Sequence, residues 1–156
     1  MYDAAVPPLL HYLGQIAKMV ERAGEAALDA RIADSFSARQ HFLTAAGFSL
    51  RLTYPLLGRE PPDLPAEIGP RLATARARLL DLRPEDFDGA DSRMIRHRAG
   101  FADLEQTGQD YVHLYALPNF FFHVTMGYAS LRNAGVPIGK GDFDGFHSYP
   151  ADFRFS

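Results

Sequence analysis

Six histidines are the residues best equipped for chemistry in this chain. A neutral imidazole can ligate a transition metal, move a proton, or serve as a hydrogen-bonding group inside a core. In the stretch ALPNFFFHVT, residues 116–125, His123 follows three phenylalanines. Two histidines four apart on a helix would share a face and form a strong metal pair. The residue four after His123 is Gly127, which has no side chain to offer. Asn119, four before His123, lies on its side of a helix and is a candidate hydrogen-bond partner. His113 lies ten residues before His123, across Pro118. From these residues we expect a small-molecule pocket near a helix kink, lined by His113, Asn119, Phe120 and His123. His123 is also a candidate metal ligand in its own right.

Other chemistries lack a pattern. There is no glycine-rich phosphate loop, nucleophile elbow or His-Glu-x-x-His motif. With no cysteine, thiol nucleophiles, zinc thiolates, iron–sulfur clusters and disulfides are excluded. Glu85-Asp86 and Asp142/Asp144 read as turn formers beside glycine. The net charge of -3 leaves no basic footprint for nucleic acid. No stretch of about 18 uncharged apolar residues is present, so no membrane span is expected. The opening MYDAAVPPLL has no basic leader region, and the expected location is cytoplasmic.

The elements that must position these groups read as helices. At 156 residues and 47% hydrophobic, the chain can bury one domain's core. A first helix is predicted from near Pro7 to about Leu28, with Leu9, Leu13, Ile16 and Val20 on its buried stripe and His11 opposite, facing solvent. A second, from Ser37 to Leu57, is apolar on two sides, so it is central or faces a partner. That pattern and the aromatic tail point to a homodimer. A third is predicted from Pro65 to Leu82, with Arg71, Arg76 and Arg78 on a solvated face. RMIRHRAGFADLEQT reads as a short hairpin around Gly100. Thr107 and Asp110 resemble a capping box opening the last helix, which Pro118 should kink or break before it runs on to Asn133. Gly135 and Pro137 stop it. The tail from residue 145 to 156 should pack its aromatics, Phe146, Tyr149, Phe153 and Phe155 among them, on the bundle or on a second subunit.

The segment ALPNFFFHVTMGYASLRNAGVPIGKGDF (residues 116–143) resembles the signature of a bacterial family of unknown function in the DinB/YfiT-like superfamily. YDAAVPPLLHYLGQIAKM and EDFDGAD fit the same family. The resemblance implies an all-α fold over residues 1–144: an up-down-down-up four-helix bundle with a long crossover between its second and third helices. Many relatives in the superfamily hold a divalent metal with three histidines, one from the second helix and two, four apart, from the last. Some are thiol-dependent transferases or hydrolases. Carried onto this sequence, the resemblance implies His41 at the second-helix position and His123 at one last-helix position as candidate ligands for zinc or nickel, while the third falls on Gly127 or lies outside the motif. To share one ion the ring nitrogens of His41 and His123 must approach within about 3–4 Å, since each metal–nitrogen bond is about 2 Å. The family has no established reaction.

Overall fold

Leu9, Leu13 and Ile16 of the expected stripe are wholly buried along helix α1, Tyr2–Ala27, with Met19 beside them and Val20 only half-buried, in the computed structural model, which describes residues 1–150 and 153. The helix starts before Pro7, the expected beginning, so Pro7 and Pro8 lie inside it and forgo two N–H bonds. Packing explains the extension. Ala5 and Val6 are wholly buried, and Tyr2 meets the edge of Phe87 at 5.6 Å. His11 corrects the sequence expectation. It is half-buried, with Nε2 2.7 Å from the Asp144 carbonyl oxygen and its ring stacked on Phe146 at 5.0 Å.

Helix α2, Ala38–Leu56, opens with a reciprocal cap: the Ser37 hydroxyl accepts from the Gln40 N–H at 3.2 Å, and the Gln40 side chain accepts from the Ser37 N–H at 2.9 Å. Its two apolar faces are covered within the chain, because α2 packs against α1, α3 (Ile68–Leu80) and α5 (Leu117–Asn133). No second copy is needed to explain them. On α3, Ile68, Leu72, Ala75 and Leu79 are buried as the spacing requires. Its arginines do not all face water. Arg71 and Arg76 are half-buried and donate to backbone carbonyls, Arg76 Nη1 to Leu10 at 2.6 Å; Arg78 is exposed.

A 3-10 turn at Pro84–Phe87 leads to the hairpin of β1 (Met94–Ala99) and β2 (Ala102–Thr107), paired antiparallel with Ala99 opposite Ala102. Gly100 supplies the positive φ of 60° in its two-residue turn. The Thr107 hydroxyl then caps α4, Gly108–Asp110, accepting from the Asp110 N–H at 3.2 Å. The expected break at Pro118 is absent. A π-helical segment, Tyr111–Ala116, precedes α5, and Ala116 and Leu117 keep helical dihedrals. The widened turn makes room for a proline ring that would otherwise strike the carbonyl four residues back. Asn119 Nδ2 donates to the Tyr115 carbonyl at 2.7 Å, pairing a backbone oxygen beside the widened turn. At the far end Gly135, at φ 82°, lets the Val136 N–H reach the Leu131 carbonyl at 3.1 Å.

Short helix α6, Lys140–Asp144, lies on α1, where Gln15 Nε2 donates to the Asp142 carbonyl at 3.1 Å and Arg22 pairs with the Asp142 carboxylate at 2.6 Å. Of the tail aromatics, Phe146 stacks on His11 and Tyr149 on Phe153; Phe155 lies outside the described residues. No helix among the described residues is long and apolar enough to cross a membrane.

Candidate functional site

His41 sits in the first turn of α2 and His123 in the middle of α5, and packing of these two helices brings the rings together. Their Nδ1 atoms lie 3.0 Å apart, a distance that fits one hydrogen bond between two neutral imidazoles. Three phenylalanines surround the pair. Phe48, one helical face along α2, stacks on His123 at 5.7 Å; Phe122 meets it edge-on at 5.2 Å; Phe36, just before the Ser37 cap, lies 5.6 Å from His41 and 6.2 Å from His123. Phe36 and Phe122 remain about half exposed, at 50% and 54%. Arg51 lies over the Phe48 ring, 4.1 Å from its centroid.

This setting disfavours the imidazolium form. Burial lowers the His41 pKa. Burial, then the His41 charge, then that of Arg51, push His123 down to about 4. Both rings are therefore neutral at pH 7, each with one N–H and one lone pair. His41 Nε2 is sealed from solvent with no partner, whereas His123 Nε2 is not sealed in this way. An unpaired buried N–H is the rarer and costlier orphan, so we place the lone pair on His41 Nε2. His41 Nδ1–H then donates to His123 Nδ1, and His123 carries its proton on Nε2. The pair then offers one hydrogen-bond donor, His123 Nε2–H, among aromatic rings.

Residues 1–144 match the family described as "Domain of unknown function (DUF1993)". The chain belongs to the DUF1993 family. Its structure is also similar to the crystal structure of a DinB family member protein from Shewanella denitrificans, with a TM-score of 0.83 and 25% identity, over 96% of this chain and 94% of that one. No curated protein matches the sequence.

The three-histidine centre of the wider superfamily does not fit this DUF1993 chain. A Cβ built on Gly127 would stand 2.4 Å from the Phe42 ring, itself wholly buried, so an aromatic ring fills the space beside the third position. Among the described residues no group of three or more His, Cys, Asp or Glu side chains is placed to hold a metal ion. His41 and His123 do meet the distance that sharing an ion requires.

The other residues expected beside His123 go elsewhere. Asn119 is committed to the Tyr115 carbonyl, not to His123. Phe120 is wholly buried in the core. His113 is exposed, and ten residues of helix separate it from His123 by about 15 Å along the axis. Cavities of about 560 and 400 Å³ open at the hairpin and beside Arg51 and Arg71, and neither histidine lines them. Phe36, Phe42 and Phe48 were not singled out as site residues by sequence reasoning. Phe48 had a signal, since it stands seven residues from His41 and so shares its helix face. Phe36 and Phe42 had none, because their places depend on how α5 crosses α2.

Proposed function

We propose that this DUF1993 protein is an up-down-down-up four-helix bundle that binds a small molecule at the aromatic face around His123, without a three-ligand metal centre. The observation that carries the reading is His123, only 8% exposed but with an Nε2 that is not sealed, its ring 5.2 Å from Phe122 and 6.2 Å from Phe36, both half-exposed. Exposed apolar surface around a single polar handle suits a ligand with an apolar body and one hydrogen-bond acceptor. Of the residues expected from sequence to line the site, only His123 is retained in this reading. The test is an NMR titration, read on the histidine ring signals of the protein and on the ligand, with acetophenone as the probe and ethylbenzene, which lacks an acceptor, as control. Acetophenone should shift the His123 ring signals and bind more tightly than ethylbenzene, and His123→Phe should erase the difference. Equal behaviour of the two probes would sink the reading.

A second reading rests on the 3.0 Å approach of the two Nδ1 atoms, which allows an ion to replace the shared proton. In that case His41 and His123 hold zinc or nickel and the chain is a metal-dependent hydrolase or thiol transferase, with water completing the ligand set. Metal content of protein purified without a histidine tag or chelator separates the two. About one equivalent, lost in His123→Ala, establishes the metal reading; none, with no gain in melting temperature on adding zinc or nickel, favours the first.

A further inference from the structure

Arg51 and Arg71 converge on the backbone of Gly47, halfway along α2. A carbon placed where a Gly47 side chain would begin lies 3.4 Å from Arg71 Nη2 and 3.5 Å from Arg51 Nη2. Both guanidinium groups therefore reach one point. They reach it for different reasons. Arg71 is clamped: its Nε donates to the Leu43 carbonyl at 3.0 Å, and its Nη1 to the carbonyls of Pro65 at 2.9 Å and Leu64 at 3.5 Å. The third nitrogen, Nη2, has no protein acceptor among the described residues and faces the gap. Arg51 is held by its stack on Phe48, and its guanidinium makes no hydrogen bond or ion pair among the described residues.

Two cations brought together without a counter-charge repel each other. The Arg71 pKa is lowered, first by burial and then by the Arg51 charge. Five other arginines have carboxylate partners: Arg22 with Asp142, Arg39 with Glu25 and Asp29, Arg59 with Asp86, Arg96 with Glu105 and Arg98 with Asp103; what sets Arg51 and Arg71 apart is that two guanidinium groups meet at one point. The one acidic residue lining the gap, Asp63, is exposed and pairs with neither arginine. The gap itself is a cavity of about 400 Å³ between α2 and the proline-rich linker REPPDLP, residues 59–65, a size that suits a small metabolite. A structural clamp accounts for the three carbonyl contacts of Arg71. It leaves the free Nη2 of Arg71, and the unpaired charge of Arg51 beside it, unexplained.

We propose that Arg51 and Arg71 form a binding site, above Gly47, for the oxyanion group of a small molecule. Planar guanidinium forks match the oxygen spacing of carboxylates and phosphates, and a fixed fork loses little freedom on binding. Gly47 is part of the site. Glycine weakens a helix interior relative to alanine, yet here it leaves the ground between the two forks clear. The site neither uses nor requires the histidine pair, so the two readings fail separately.

The test is NMR of the arginine Nε–H groups and backbone amides during titration with inorganic phosphate and, separately, acetate, at ionic strength matched with sodium chloride. Saturable shifts at Arg51, Arg71 and Gly47 are expected. Saturation by phosphate alone assigns a phosphate ligand, and saturation by acetate a carboxylate. Arg51→Gln, a change at an exposed head, should weaken binding by about tenfold or more, the loss of one charged hydrogen bond. Gly47→Ala should abolish the shifts without lowering the melting temperature, and His123→Ala should leave them intact. Non-saturating shifts shared with Arg96 and Arg98, or equal affinity in Arg51→Gln, would overturn the proposal.

Discussion

Replacing Gly127 by alanine asks whether the Phe42 ring closes the third position of the histidine site. The new Cβ would stand 2.4, 2.7 and 2.8 Å from three atoms of that ring, where favourable carbon contacts begin near 3.5 Å. Phe42 is wholly buried, and a ring in a close-packed core cannot move aside freely. Overpacking of this kind costs about 1–3 kcal/mol. Removing a glycine from a helix interior returns about 1 kcal/mol. The net expectation is a loss of about 1 kcal/mol, or roughly 2–4 °C in melting temperature for a chain of this size. Gly47→Ala is the control. Its Cβ meets only guanidinium nitrogens of Arg51 and Arg71, at 3.4 Å or more, which is ordinary contact distance, so it should keep most of the ~1 kcal/mol helix gain. The two glycine-to-alanine changes should thus have opposite signs in urea denaturation. Phe42→Leu in the Gly127→Ala background should recover part of the loss, a coupling that independent sites would lack. If Gly127→Ala raises the urea midpoint as far as Gly47→Ala does, space is open beside Gly127 and the case against a third ligand there fails.

The neutral histidine pair makes stability depend on pH. The unfolded chain protonates His123 near 6.5, the folded chain only near 4, so unfolding takes up protons between those values. The contribution is complete above 6.5 and is lost as the pH falls toward 4. A urea midpoint measured across this window should drop, and His123→Phe should flatten the drop; an unchanged slope in the variant would contradict the assignment. Asn119→Ala leaves the Tyr115 carbonyl without its side-chain donor beside the π-helical turn, at a cost of about 0.5–1.5 kcal/mol. Chemical denaturation reads this directly, and a neutral result would mean that water pairs the carbonyl equally well.

Features set by neighbours in the chain were legible before any fold was known. The Thr107 cap, the Gly100 hairpin turn and the Gly135 stop each depend on residues within one turn of one another, and each stands where the local pattern put it. The buried stripe of α3 follows from helical spacing alone. The resemblance to DinB-like proteins paired His41 with His123, and Gly127 announced that no third histidine would follow. Other placements were hidden for one reason: they are set by what another element presents. The start of α1 moved forward because Tyr2, Ala5 and Val6 find apolar cover against later parts of the chain. Arg71 and Arg76 left solvent because carbonyls on α2, the proline-rich linker and α1 accept from them. Asn119 turned from His123 to the nearer Tyr115 carbonyl beside the widened turn ahead of Pro118. Helical period tells which side of a helix a residue occupies, but not which neighbour stands opposite. Only the crossing of α2 and α5 puts the His41 and His123 rings in contact and the Phe42 ring against Gly127, because side-chain volumes from distant segments must fill the same space.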